Sequence, residues 1–312
     1  MKKYFPLFLF SFFYLNSIKA QDPIFSQNLC TRTYLNPAIA GTDSTLAISA
    51  GYRNQWAGIN GTTYATTHFS ADQYVRFLRG GIGLDIIHDV AGQGPLTTTN
   101  INFSYAPHFE LFNHTLSLQP GFSIGYFQKS IDVSQLTLPS NIGFQHYSSS
   151  PYQLSKKTNV DLNAGLFMYT KKFYGGISVM HINEPDEGLI GPAKLPYKLT
   201  IHAGVNLNFK KDINHNFTLS PNVIFQRQQN FNGVVVGITT KYKWFLLGVN
   251  YRNRDSMIYN IGFQNRFLKV GYTYDYTTSK LTNATGGSHE IQVIWFLHYQ
   301  KKACKINTIR FI

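Results

Sequence analysis

The feature that most constrains this chain is an alternation of apolar and polar residues that recurs almost from end to end. In the stretch 116–127, Leu116, Leu118, Phe122, Ile124 and Tyr126 share one parity, and Ser117, Gln119, Gly121, Ser123 and Gly125 the other. The same pattern sets Ile101, Phe103 and Tyr105 against Asn100, Asn102 and Ser104, and Leu199, Ile201, Val205 and Leu207 against Thr200, His202, Gly204 and Asn206. Successive side chains of a strand point to opposite faces, so each segment reads as a strand with one apolar and one polar face. The polar faces carry Asn, Ser, Thr, Gln and Gly with few charges, which suits a crowded polar lumen. Apolar-outward, polar-inward segments of about ten residues are the pattern of a transmembrane antiparallel β-barrel. Secreted β-sandwiches and propellers alternate too, but the chain has no blade-length repeat.

The alternation predicts about fourteen strands, centred on 45–54, 63–75, 80–88, 97–111, 114–127, 159–170, 172–182, 197–209, 216–228, 233–242, 243–252, 256–265, 266–276 and 287–298. An even number suits a barrel whose two ends lie on one side. Connections after even-numbered strands are short, and most after odd-numbered strands are longer; the longest runs from Gln128 to Thr158. Short inner turns and long outer loops are what an outer-membrane barrel requires. Two outer loops, around Asn230 and Arg254, are short and fit less well. Trp56, Trp244 and Trp295 lie near predicted strand ends, and Tyr and Phe are abundant, as expected for girdles at the membrane boundary.

The first residues combine Lys2 and Lys3 with an apolar core from Tyr4 to Leu15 and a small residue at Ala20. This reads as a secretory signal peptide over 1–20, too short for an ordinary spanning helix. The remaining expected organisation is an N-terminal segment over 21–44, a barrel over 45–298 and a basic tail over 299–312. The N-terminal segment, broken by Leu35-Asn36-Pro37, either enters the lumen as a plug or lies across the periplasmic mouth. Cys30 and Cys304 form no disulfide framework or metal site by themselves; two free thiols, or one bond between chain ends, remain open.

The formal charge is +13, from 28 Lys and Arg against 15 Asp and Glu. Its cations gather at the short turns: Arg76, Arg79, Lys171, Lys172, Lys210, Lys211, Lys241, Lys243, Arg266 and Lys269 are expected to ring the periplasmic rim. Turns need solvated residues in any barrel; the sharper expectation is a basic docking face for a periplasmic partner. Nucleic acid is not expected, because the charge is punctuated and no recognised binding motif occurs.

Chemistry is sparse. Asp85, His88 and Asp89 form the best candidate cluster, but in a strand His88 faces away from both carboxylates. His289–Glu290 lacks the second His of a zinc-binding H-E-x-x-H, and there is no C-x-x-C or phosphate loop. Instead Glu290 and Gln292 are expected to point to the lumen and Ile291, Val293 and Trp295 to lipid, with Glu290 paired to Lys280 or Arg252. Gly286 and Gly287 would relieve the backbone where the last outer loop turns. No catalytic residue, metal or cofactor is assigned.

Four blocks carry a family resemblance: 21–42 (QDPIFSQNLCTRTYLNPAIAGT), 51–62 (GYRNQWAGINGT), 80–95 (GGIGLDIIHDVAGQGP) and 271–291 (GYTYDYTTSKLTNATGGSHEI). In this order they resemble the PorP/SprF family of type IX secretion system outer-membrane proteins. The tail departs from the family, since Cys304 is followed by Lys305 and not by proline. The resemblance implies a non-enzymatic barrel in the outer membrane of a Gram-negative, Bacteroidota-type bacterium. It implies work with the secretion and gliding machinery, and export or surface attachment of a large adhesin-like client. Expected partners are secretion components in periplasm and outer membrane, the client, and lipid. Phe144, Tyr147 and Tyr152 in the longest loop are the expected client-facing residues, though self-packing of the loop would also use them. A passive channel or hydrophobic-substrate transporter is the alternative function, and a lipid-modifying hydrolase a third.

Overall fold

In the computed structural model, the described residues are 22–28, 30–43, 45–59, 63–92, 96–132, 154–189, 191–212, 215–279 and 286–297. A one-turn helix, α1 (Arg32–Leu35), and a 3-10 turn (Pro37–Ile39) precede sixteen strands. These are β1 (Leu46–Asn54), β2 (Thr63–Val75), β3 (Gly80–Gly92), β4 (Leu96–Pro107), β5 (Phe109–Leu111), β6 (Leu116–Asp132), β7 (Leu154–Tyr169) and β8 (Phe173–Met180). They continue as β9 (Lys198–Val205), β10 (Leu207–Asp212), β11 (His215–Gln228), β12 (Phe231–Tyr242), β13 (Phe245–Arg252), β14 (Ser256–Gln264), β15 (Leu268–Thr277) and β16 (Ser288–Leu297).

Every pairing is antiparallel between neighbours along the chain, and β1 pairs with β16 from Leu46↔Leu297 to Asn54↔His289, closing the sheet. β4 and β5 both pair with β6 and are separated by His108; β9 and β10 both pair with β11 and are separated by Asn206. The sixteen strands therefore make a closed barrel of fourteen staves, as the alternation predicts. Closure matters physically, because a bilayer offers no water to an unpaired strand edge.

Burial alternates along the staves: β13 reads exposed–buried throughout, with Phe245, Leu247, Val249 and Tyr251 outward and Gly248, Asn250 and Arg252 inward. Leu246, also inward, is an apolar exception. Strand ends differ from expectation mainly at the outer edge, where β6 runs on to Asp132 and β7 begins at Leu154. Above the apolar band the outward residues become polar (Gln128, Lys156, Thr158), so the hydrophobic signal stops before the hydrogen-bond ladder does.

Residues 22–28 and 30–43 lie inside the barrel, and the apolar core is built there, not between layers of sheet. Leu35, Ala38 and Ile39 pack with Phe167, Tyr169, Tyr174, Ile224 and Val235. Phe25 and Tyr34 pack with Ile87 and Met180, and Cys30 with Ala47, Ile294 and Phe296.

Candidate functional site: the filled interior and the two rims

The interior segment is held by charged and polar side chains that the alternation turns inward. At the closing seam, Arg53 of β1 meets Asp275 of β15 at 2.8 Å and Glu290 of β16 at 3.1 Å. Arg252 of β13 meets Asp275 at 3.3 Å and Asp255 at 3.0 Å. Ser26 sits among them: its hydroxyl donates to Asp275 (2.6 Å) and accepts from Arg53 and Arg252 (2.8 Å each). The backbone N–H groups of Ser26 and Gln27 donate to the two oxygens of Glu290, at 2.7 and 3.0 Å. Glu290 is thus partnered by Arg53, and Arg252 serves Asp275 and Asp255 instead; Lys280 lies outside the described residues.

Near the outer mouth, His181 lies between two carboxylates, with Nδ1 2.9 Å from Asp161 and Nε2 3.0 Å from Asp22. Burial alone would disfavour the imidazolium, but these carboxylates outweigh it and raise the His181 pKa to about 10. Burial likewise opposes ionisation of Asp22, yet His181 and Lys198 hold its carboxyl well below the usual carboxylate range. Lys198 also donates to the Tyr34 hydroxyl (3.1 Å), which donates to the Pro23 carbonyl (3.0 Å).

Between the segment and β2, Arg32 donates twice to Asp72 Oδ1, at 3.0 and 2.8 Å, and the Gly41 N–H donates to the other oxygen at 2.8 Å. Thr33 donates to Asp85 (3.1 Å), which also meets His68 Nε2 at 2.8 Å. Asn36 donates to the Leu166 and Ile177 carbonyls at 3.2 and 3.3 Å. Two wall glycines permit this approach: a Cβ on Gly81 would lie 1.9 Å from the Ala40 carbonyl oxygen, and one on Gly121 2.3 Å from Ala38 Cα.

Over the outer mouth, residues 181–189 and 191–197 fold back on the barrel. Lys129 pairs with Glu187 at 2.7 Å, and Lys157 with Asp186 at 2.9 Å. Lys157, with the N–H groups of Ala193 and Gly188, pushes the Asp186 pKa down to about 2.

The Asp85–His88–Asp89 cluster does not assemble. Asp85 is buried on His68, Asp89 accepts from Thr66 (2.6 Å), and His88 faces outward beside Thr99 (2.9 Å). His289 bonds the Tyr272 hydroxyl at 2.7 Å, while Ile291 and Trp295 are exposed and Glu290 and Gln292 buried, as expected. Gly286 and Gly287 adopt φ of +63° and +79° where that hairpin turns. Among the described residues no group of His, Cys, Asp or Glu could hold a metal ion. Cys30 is a buried free thiol, and Cys304 lies outside the described residues.

At the inner rim Arg76, Arg79, Lys171, Lys172, Lys243 and Arg266 are exposed at turns, and Lys241 is half-buried at the end of β12. Lys210 and Lys211 lie in β10. Lys269 corrects the rim reading: it is the second residue of β15, its parity turns it inward, and it is 5% exposed. Proximity to the turn points to a rim position; strand parity decides otherwise. Exposed aromatics accompany the cations, with Phe77 92% exposed and Phe112, Trp244 and Phe267 also outward. Phe144, Tyr147 and Tyr152 lie outside the described residues, as do 1–21 and 298–312.

Sequence reasoning missed the pairing of the interior segment with the wall. Its signal is charge in unexpected places: Arg53, Asp72, Asp85, Asp161 and Asp275 sit within strands on polar faces, where a barrel of small polar residues needs no charge.

Residues 17–295 match the sequence profile of a family described as type IX secretion system membrane protein PorP/SprF. No curated protein matches the sequence. Among solved structures, the chain is similar to the Pseudomonas putida toluene transporter TodX (TM-score 0.47, 9% identity, covering 85% of this chain and 93% of that one). It is also similar to a Pseudomonas aeruginosa FadL homologue (0.43, 11%, 84% and 93%) and to the KdgM porin (0.40, 10%, 81% and 99%).

Proposed function

Given that the chain belongs to the PorP/SprF family of type IX secretion system membrane proteins, we propose that it is a non-enzymatic accessory of the secretion and gliding apparatus that aids export or surface attachment of a large adhesin-like client. The protein is a closed barrel of the outer membrane of a Gram-negative bacterium, associated with type IX secretion. The observation that carries the proposal is the interior: the described residues of 22–43 are tied into the lumen by the ion pairs Arg32–Asp72 and Asp22–His181 and by the Ser26 hydroxyl, which bonds Arg53, Arg252 and Asp275. A barrel occupied along its length is a poor conduit, so it acts through its surfaces. The outward apolar side chains anchor it in lipid, the basic inner turns dock periplasmic components, and the outer loops hold the client.

Affinity purification from outer membranes, followed by mass spectrometry, tests this. Recovery of secretion components or a very large surface protein is the expected result, and repeated recovery of the barrel alone would sink the proposal. The alternative, a passive channel or hydrophobic-substrate transporter, requires residues 22–43 to leave the lumen. A steady open pore from the intact purified protein in planar bilayers would favour that alternative.

A further inference from the structure

A pocket of about 270 Å³ lies where the loop before β9 meets the turn after β11, at the outer end of the wall. That is roughly nine water volumes, enough for a sugar ring and more than a lone ion needs. Its lining is Glu184, Lys194, Pro196, Tyr197, Arg227 and Gln229. Arg227 stands between the buried Gln226 and Gln228, and Tyr197 between the buried Pro196 and Lys198, so both point away from the lumen. Hydrogen bonds fix the walls. Gln228 Nε2 donates to the Pro196 carbonyl at 3.2 Å, the Leu195 N–H to the Pro185 carbonyl at 2.9 Å and the Glu184 N–H to the His181 carbonyl at 3.0 Å.

Among the described residues neither Lys194 nor Arg227 has an ion-pair partner, although Glu184 lines the same pocket. A guanidinium and an ammonium together suit a phosphate, through charge-assisted hydrogen bonds. Glu184 would repel a bare phosphate, but its carboxylate and the Gln229 amide suit hydroxyl groups carried beside one. Tyr197, 52% exposed, offers a ring with an apolar face and a polar tip. These groups together fit a phosphorylated sugar. Position narrows the choice further. Toward the membrane on the same two strands the outward residues are Leu199 and Ile201 of β9, and Phe225 and Val223 of β11. The pocket therefore sits where the lipid-facing apolar band ends at the outer rim, at the level of lipid headgroups.

We propose that this pocket binds the phosphorylated sugar headgroup of a glycolipid in the outer leaflet. Arg227 and Lys194 hold the phosphate, Glu184 and Gln229 the sugar hydroxyls, and Tyr197 packs on the sugar ring, while the acyl chains lie along Leu199, Ile201 and Val223. The site rests on the outer-membrane placement of the barrel and is independent of the accessory role proposed above.

Native mass spectrometry of the intact purified protein in neutral detergent tests the site, with monophosphoryl lipid A, its dephosphorylated form, phosphatidylglycerol and soluble glucosamine 1-phosphate as probes. Monophosphoryl lipid A is expected to bind, and each of the other three at least tenfold more weakly. The double variant Lys194→Gln, Arg227→Gln should lose at least tenfold in lipid A binding, while Lys156→Gln, an outward cation of β7 outside the pocket, should leave it unchanged. Each variant is checked for barrel integrity by the mobility shift of unheated samples on gels. No binding of monophosphoryl lipid A to the unaltered protein, or equal binding of the dephosphorylated lipid, would overturn the proposal whether or not the variants fold. Equal binding of phosphatidylglycerol would overturn the sugar assignment, and equal binding of glucosamine 1-phosphate the assignment to a lipid. Undiminished binding by the folded double variant, or an equal loss in Lys156→Gln, would overturn the choice of pocket.

Discussion

The Arg53 guanidinium lies 2.8 Å from the Asp275 carboxylate, joining β1 to β15 across β16, the strand that closes the barrel. Both side chains are nearly inaccessible, and the hydroxyl of Ser26 is bonded to each. The contact therefore ties three things together: the first strand, the last hairpin and the segment inside.

Arg53→Met should weaken all three. It leaves Asp275 with Arg252 and removes the only guanidinium that the described residues place on Glu290. Removing one partner of a buried ion pair costs about 3–5 kcal/mol. The urea midpoint for loss of the compact band on unheated gels should fall accordingly. An unchanged midpoint would mean that Ser26 and Gln27 satisfy Glu290 without help.

The latch at His181 makes retention of the segment depend on pH. The folded-state pKa of about 10 lies above the ordinary 6.5, so this contribution is whole below pH 6.5 and disappears as pH rises through about 10. Asp22, held below its ordinary 3.8, contributes above that pH and loses its contribution as pH falls below it. Resistance of residues 22–43 to added protease should therefore be greatest between about pH 4 and 6.5 and decline toward pH 10. In His181→Gln the alkaline decline should flatten; an identical profile would remove His181 from the explanation.

Gly81→Val should expel part of the segment without disturbing the sheet. Its Cβ would sit 1.9 Å from the Ala40 carbonyl oxygen, a backbone atom that cannot swing aside. The expected outcome is a barrel that still shifts on gels but shows new proteolysis within 22–43 and raised conductance in planar bilayers. Conductance equal to that of the unaltered protein, with the segment cleaved, would show that residues 22–43 do not block the lumen.

Reversing Arg76, Arg79, Lys171 and Lys172 to Glu tests the basic inner turns. All four are exposed, so the barrel should fold as before. Capture of secretion components from periplasmic extract should drop at least tenfold. Retained capture by the folded variant would mean that these cations only solvate the turns.

Much of the architecture is legible in the amino-acid sequence. Period-two alternation identifies the staves because lipid on one side and a polar lumen on the other impose opposite demands on adjacent residues. It fails where those demands lapse: the outward residues Gln128, Lys156 and Thr158 are polar, so the alternation stops before the ladder does, at Asp132 and Leu154. Nearness to a turn misleads at Lys269, where it points to the rim while parity turns the side chain inward.

The order of apolar and polar residues by itself determined a closed antiparallel barrel, its fourteen staves and which side chains face lipid, because those properties are local and repeat every second residue. Only the tertiary structure decided what the inward residues meet. Arg53 finds Glu290 and Asp275 over 200 residues away, and Asp22 finds His181 159 residues away. Such partners are set by the curvature that brings the first and last strands together and by the path of residues 22–43 through the lumen. No periodicity along the chain encodes that path.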